Sequence, residues 1–465
     1  MKNFRLLPVL AGLTVALMPF MSSWAGLPSN AEAEAILKKQ LIDSGKAKGA
    51  AVALVDASGI RVVTVGVARD GVPLTADHLF EIGSVTKTFT ALLLALAEEK
   101  GELKISDAVE KYLPDGIKLR DSNDAPIRLV DIATQRSGLP RLATNFSSPN
   151  PLNPYAYYTE ANLLDFIRGF KATRARNAEY EYSNVGFGLL GYVLVRVAKA
   201  PSYEALLGAR ILKPLDMQNT TADPKLFVDR MAQPHIASGA ETPLWDLPAA
   251  HAGAGAIRST AGDMGRYAQA IAGLKPGVLS KAIALATEPR EQGPQPINPI
   301  GLAFMQVPFH ERKFINHDGG TMGSSSSLMV DPATHEGVFV VTNTSTRLFD
   351  IAINLLDRRY NLAPREFPKT VNVAPALLAR YAGNYKLNDK MNVDIRVNKD
   401  GKIIAQATRQ GEFEIFPESE TRFFAKVSPI VMTFGDFTDN VEGSKAGSFV
   451  LEQGGAKTIA RRIQP

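Results

Sequence analysis

Apolar and polar positions change period along the chain, and the changes mark out its elements. An uncharged stretch runs from Leu6 to Met21 behind two cations, Lys2 and Arg5. Ala31–Ser44 has the spacing of a helix, and Ala50–Val55 with Arg61–Val67 are β-rich runs around a Ser58-Gly59 turn, a predicted hairpin. In Ser84–Lys100, Phe89, Leu92, Leu93 and Leu96 recur at helical spacing up to a Gly101 stop, which predicts a buried helix. Further helices are predicted at Glu160–Lys171, Val185–Lys199 and Thr260–Ala272, joined by long connections rich in proline and glycine. From Lys313–His317 onward the pattern turns to strands, with Ser326–Val330 and Val338–Thr342 on either side of an Asp331-Pro332 turn.

Between Leu362 and Pro375 periodicity is lost. Short strand candidates then follow at even spacing: Gly383–Lys386, Val393–Val397, Ile403–Thr408, Phe413–Phe416, Phe423–Lys426, Val431–Phe434 and Ser448–Gln453. Such spacing predicts a small antiparallel barrel or sandwich. The whole reads as an α/β (α+β) chain: an antiparallel sheet flanked by helices plus an all-helical region, at 26–365, and a small β domain at 374–465. Residues 1–25 are expected to be a signal peptide cleaved after Ala25, because Ser23-Trp24-Ala25 places small residues at both cleavage-determining positions. Sixteen residues interrupted by Pro8 and Pro19 are short for a bilayer, so no stable membrane span is expected after cleavage.

Composition narrows the chemistry. Cysteine is absent, which excludes disulfides, thiol nucleophiles and thiolate metal sites. A periplasmic or secreted bacterial location fits. Net charge is +5, falling to +3 without Lys2 and Arg5, and no cluster of basic residues interleaved with aromatics stands out, so no nucleic-acid partner is expected.

Three short patterns carry the candidate chemistry. Ser84-Val85-Thr86-Lys87 is the only Ser-x-x-Lys in the chain and opens an apolar helix. A serine hydroxyl needs a base within hydrogen-bond reach, and a lysine three residues along a helix lies on its face. The helix start favours developing negative charge, and burial would lower the lysine pKa towards that of a usable base. Tyr182-Ser183-Asn184 is the only Tyr-x-Asn. A phenol can pass a proton between nucleophile and leaving group, while an amide can hold a substrate carbonyl and a lysine ammonium; packing and helix capping are the plainer uses of the same residues. His-x-Gly occurs at His251, His317 and His335. Only His317 ends a strand and precedes an open backbone at Gly319, Gly320 and Gly323. It is therefore taken as the site residue, with His251 assigned to a Gly/Ala loop and His335 to a turn. Asp318, adjacent on the strand, should face the other way.

Other patterns fail on context. Gly186-Phe187-Gly188-Leu189-Leu190-Gly191 matches a dinucleotide-binding fingerprint but follows the polar run Glu179–Asn184 instead of a buried strand, so its glycines are read as helix-packing residues. No Gly-x-Ser-x-Gly, Gly-x4-Gly-Lys or His-Glu-x-x-His is present. No metal and no cofactor are expected.

With these motifs in this order, the chain resembles the serine β-lactamase and penicillin-binding-protein superfamily, in its class C β-lactamase-like branch. Phe80-Glu81-Ile82-Gly83, the stretch Ala133–Pro140, Pro214-Leu215-Asp216-Met217 and Ser259–Met264 extend the likeness over about residues 30 to 360. Tyr381-Ala382-Gly383-Asn384-Tyr385 and Phe416–Phe424 resemble the small lipocalin-like domain appended to such hydrolases. The resemblance implies that Ser84 is acylated, Lys87 accepts its proton, Tyr182 relays it to the leaving group, and Asn184, His317, Gly319 and Gly320 bind substrate. The N–H groups of Ser84 and Gly320 would form the oxyanion hole. It also implies an exported serine hydrolase acting on a small molecule or peptide, such as D-amino-acid peptides, peptidoglycan fragments or esters. A class C β-lactamase, and a penicillin-binding sensor or cell-wall-binding protein that acylates without deacylating or only binds, are the alternatives. The third motif is His317-Asp318-Gly319 where efficient class C enzymes have Lys-Thr-Gly, and an imidazole attracts a substrate carboxylate less than an ammonium does.

Overall fold

The computed structural model describes residues 26–465 apart from 278, 295–297, 363–366, 389–390, 409–411, 426–429, 438–443, 454–455 and 464–465. The expected signal segment, 1–25, and Lys426 lie outside the described residues. The chain forms two units, divided between Leu362 and Ala363.

In the first unit the expected hairpin is β1 (Gly49–Asp56) and β2 (Gly59–Arg69). Four later strands, β3 (Met305–Phe309), β4 (Arg312–Gly320), β5 (Ser325–Asp331) and β6 (Glu336–Thr342), join them in one antiparallel sheet. The order is β2-β1-β6-β5-β4-β3, and two-residue strands at both edges bring the total to nine. β1 is central and reads as a continuous apolar run because both of its faces are covered. Ala50, Val52 and Leu54 enter one core with Leu37 and Leu355, while Ala51, Ala53 and Val55 enter a second with Phe89 and Met264.

Six helices frame that sheet and the site: α1 (Asn30–Leu37), α2 (Thr86–Glu99), α3 (Asn184–Val197), α4 (Ala249–Gly255), α5 (Ala261–Ile271) and α6 (Phe349–Leu356). Every residue of α2 from Thr86 to Ala97 is buried, so its threonines need partners inside the protein. Thr90 Oγ1 donates to Gly253 O at 2.7 Å, Thr86 Oγ1 accepts from Ile257 N at 3.2 Å, and Thr88 Oγ1 accepts from Tyr267 Oη at 3.0 Å. Two of these bonds tie α2 to the α4 region.

The glycine pattern in α3 is a packing device. A Cβ on Gly188 would lie 2.0 Å from Ala250 O, and one on Gly191 would lie 3.1 Å from the Gly253 Cα, so α3 and α4 meet backbone to backbone. α4 corrects a sequence expectation, because His251 sits within this helix and not in a loop. Residues Ala250–Gly255 are all buried, so the helix shows no polar face whose period could reveal it, and its Ala/Gly composition imitates a loop.

The second unit is a closed antiparallel barrel of eight strands, β7 (Gly383–Asn388), β8 (Met391–Val397), β9 (Ile403–Ala407), β10 (Phe413–Pro417), β11 (Arg422–Ala425), β12 (Ile430–Phe437), β13 (Ala446–Gln453) and β14 (Ala456–Arg462). Tyr385↔Arg462 closes the ring. Tyr381, Tyr385, Phe423, Phe434 and Phe449 fill the interior, which makes it a packed core.

Candidate active site

The turn before α2 is where the chain's first motif takes shape. Gly83–Val85 is a short 3-10 turn that leads into α2, and Gly83 has φ +51, a left-handed conformation. A Cβ there would also lie 2.5 Å from Gly320 N, so glycine satisfies both conformation and close approach. This turn presents the Ser84 hydroxyl, and the N–H of Ser84 belongs to a first helical turn whose donors lack intrahelical partners.

Gly320 supplies a second free donor. Thr321 N donates to Ser324 O, so that pair closes the hairpin and the next pair, Gly320↔Ser325, is of the non-bonded kind. The Gly320 N–H therefore points away from β5. On that side β3 pairs only with Arg312–Asn316, which leaves the edge of His317–Gly320 to face the turn carrying Ser84. Gly319 packs on that turn: a Cβ on it would lie 2.0 Å from Ile82 O.

Lys87 is wholly buried, and its Nζ has three oxygen neighbours: Ser84 Oγ at 3.0 Å, Asn184 Oδ1 at 2.9 Å and Ala254 O at 2.7 Å. None is a carboxylate. Burial, and secondarily the Arg141 cation, hold the Lys87 pKa well below the ordinary ammonium range. A neutral amine has two N–H donors and one lone pair. Two donors match the carbonyl oxygens of Asn184 and Ala254, and the lone pair is left for the Ser84 O–H. The Nζ also lies 4.8 Å from the centroid of the Tyr182 ring. Burial pushes the Tyr182 phenol well up, opposed by a hydrogen bond with Ser84.

Asn184 is the first residue of α3. Its capping is done by Ser183, whose Oγ accepts from Gly186 N at 2.9 Å, so the Asn184 amide is free to serve the site. Asn184 Nδ2 donates to Tyr155 Oη at 3.1 Å, which turns Oδ1 towards Lys87. Tyr155 in turn packs against Trp245 and His251, with ring centroids 5.1 and 4.9 Å apart. Glu81 fixes the rim: its carboxylate accepts from Trp245 N at 2.5 Å and from Thr321 Oγ1 at 2.6 Å. Ser84, Tyr155, Asn184, Trp245, Gly320 and Thr321 together line the cleft.

His317 stands behind this wall, 2% exposed, with its ring centroid 6.5 Å from that of Tyr182. Its Nδ1 is 2.7 Å from Asp318 O, and a carbonyl can only accept, so Nδ1 carries the proton. Burial and the nearby Lys87 lower its pKa to about 3. At neutral pH His317 is therefore uncharged and Nε2 is an acceptor. Asp318 faces elsewhere, its Oδ1 taken by Ser327 Oγ and Asn316 Nδ2. His335 lies in a turn, with Nδ1 bonded to Ala272 O.

A larger cavity lined by Ala284, Gln306, Arg312, Ile315 and Pro332 contains none of the motif residues. Of the charges lining it, Arg312 pairs with Asp331 and Glu336, and Arg359 with Glu311 and Asp357. Among the described residues no cluster of three or more His, Asp or Glu is placed to hold a metal ion, and no helix is long and apolar enough to cross a membrane.

A family model described as beta-lactamase matches residues 37–360. The chain belongs to the beta-lactamase family. Members of this family and of the related DD-peptidases are serine hydrolases. It is similar to the D-alanyl-D-alanine-carboxypeptidase/endopeptidase AmpH of Escherichia coli (strain K12), 30% identical over 225 residues, covering 48% of this chain and 57% of that relative's length. A beta-lactamase of Pseudomonas fluorescens is 28% identical over 290 residues, covering 61% of this chain and 75% of the relative. Among solved structures, a beta-lactamase/D-alanine carboxypeptidase from Yersinia pestis superposes with a TM-score of 0.61 at 24% identity, covering 71% of this chain and 98% of the other. An octameric penicillin-binding protein homologue from Pyrococcus abyssi gives 0.66 at 20% identity over 93% and 100%. These superpositions show a shared fold.

Several residues of this beta-lactamase-family site were not evident in the sequence. Tyr155 and Trp245 come from long connections without periodicity, and only tertiary folding brings them to Asn184. His251 was visible as a His-x-Gly repeat but is placed by a helix that the pattern did not reveal.

Proposed function

We propose that this chain is an exported hydrolase that forms an acyl-enzyme on Ser84 with D-amino-acid-containing peptides or related esters. The observation that carries the reading is the set of partners around Lys87: three oxygens and no acid, which suit a neutral amine able to take the Ser84 proton. As that proton moves to Lys87, Ser84 Oγ bonds to the substrate carbonyl carbon, and the oxygen of that carbonyl takes up negative charge between the N–H groups of Ser84 and Gly320. Losing one such donor typically costs about 3 kcal/mol of transition-state stabilisation. Tyr182 passes the proton to the leaving nitrogen or oxygen as its bond to carbon breaks. Water then adds to the acyl carbonyl, Ser84 leaves with its proton restored, and the acid is released.

The similarity to AmpH, a relative named as a D-alanyl-D-alanine-carboxypeptidase/endopeptidase, supports the peptidase side of this reading. The uncharged His317 gives a carboxylate no fixed cation at the third motif, which argues against fast penicillin turnover. A working beta-lactamase is the second reading, supported by the relative of that name. Export rests on the expected signal segment. The test is release of D-alanine from a peptide ending in D-Ala-D-Ala, measured beside cephalosporin hydrolysis. Release that disappears in both Ser84→Ala and Lys87→Met supports the proposal. Release that persists in Ser84→Ala removes it, and cephalosporin turnover far exceeding peptide release favours the second reading.

A further inference from the structure

With His317 uncharged, a substrate carboxylate needs another cation, and the site holds one that its own motifs do not use. Arg141 directly follows the Ala133–Pro140 stretch. Its backbone is pinned to the site, since Arg141 O accepts from Asn184 N at 2.9 Å. Its side chain is exposed, and the guanidinium carbon lies 5.2 Å from the centroid of the Tyr182 ring. Arginines nearby in the chain are neutralised: Arg136 pairs with Glu291, and Arg176 with Asp131. Among the described residues Arg141 has no carboxylate partner. Its field nevertheless reaches the catalytic groups, because it is the one cation among the causes that lower Lys87 and it acts in the same sense on Tyr155 and Tyr182.

We propose that Arg141 is the carboxylate-recognition residue of this site, binding the carboxylate on the leaving-group side of the substrate. The proposal rests on the hydrolase reading above. Tyr182 delivers its proton to the leaving nitrogen, and in a C-terminal amino acid the carboxylate is only two bonds from that nitrogen. A guanidinium 5.2 Å from the centroid of the Tyr182 ring is close to the group that delivers this proton, and its planar fork matches a carboxylate with two parallel hydrogen bonds. His317, buried behind the cleft wall and uncharged, offers that carboxylate no cation, so its recognition falls to Arg141.

The test uses two esters with the same phenylacetylglycyl acyl group, one of phenol and one of 3-hydroxybenzoate, which differ by a single carboxylate on the leaving group. The quantity read is the ratio of kcat/KM for the charged ester over the neutral one, in which any change at Lys87 itself cancels. Arg141→Gln is expected to lower this ratio by about 10- to 100-fold, the loss of a charge-assisted hydrogen-bonded pair. Arg141→Lys, which keeps the charge and loses the fork, should fall between. An unchanged ratio in Arg141→Gln overturns the carboxylate site and leaves the hydrolase reading standing. Failure of the wild type to turn over either ester sinks both.

Discussion

Gly188→Ala tests whether the packing of α3 on α4 builds the base. The added Cβ would lie 2.0 Å from Ala250 O, whereas an ordinary C···O contact is about 3.3 Å, so the two helices must part by roughly 1 Å. Ala254 is one helical turn beyond Ala250, and its carbonyl accepts from Lys87 Nζ at 2.7 Å. The same shift would stretch that bond past hydrogen-bond range. Overpacking costs about 1–3 kcal/mol and alanine in a helix returns up to about 1 kcal/mol over glycine, for a net loss of roughly 1–2 kcal/mol. Gly208→Ala is the control, because nothing lies within 4 Å of the new Cβ. Urea denaturation and the rate of acylation by an activated ester measure the two effects. Gly188→Ala should be destabilised and acylate at least about tenfold more slowly, beside a Gly208→Ala that is no less stable than wild type. Gly188→Ala with wild-type stability and rate would refute it.

Acylation should need the unprotonated Lys87, so kcat/KM should rise with pH through a pKa well below the ordinary lysine value. Arg141→Gln removes a cation that disfavours the ammonium and should move that limb to higher pH; a limb that moves down contradicts the assignment. His251 and His317 each have a folded pKa of about 3 against an ordinary 6.5, so the unfolded chain takes up protons that the folded one refuses, and stability should fall as pH drops from 6.5 towards 3. At pH 5 each contributes a loss of about 2 kcal/mol, and His251→Leu should remove one proton from the slope measured by urea denaturation at pH 7 and pH 5. Both carboxylate oxygens of Glu81 accept, so Glu81→Gln turns one acceptor into a donor facing a donor; it should cost about 1–3 kcal/mol in thermal or urea stability and slow acylation without abolishing it.

The sequence disclosed the elements whose apolar pattern has one buried face. Seven of the eight barrel strands were legible, and β14 was not, because its one wholly buried described residue is the small Ala460 while Ile459 is 52% exposed among lysine and arginine. α4 was hidden for the opposite reason, having no exposed face at all. In the site, Ser84 with Lys87 and Tyr182 with Asn184 were legible because each pair is local in sequence and its chemistry depends on short spacing. Tyr155, Trp245 and the rim held by Glu81 depend on contacts across 29, 164 and 240 residues, which no local pattern encodes. The protonation of His317 was also beyond reach, since its burial and its bond to Asp318 O belong to the folded sheet edge.

The most direct test of Ser84 as the acylated nucleophile is intact-protein mass over time, followed by peptide mapping, after mixing wild type and Ser84→Ala with an activated ester and with a penicillin. An acyl mass increment on the peptide containing Ser84, present in wild type and missing from Ser84→Ala, is the predicted result, and its lifetime separates turnover from trapping. No adduct with either reagent, or the same adduct in both proteins, would contradict it.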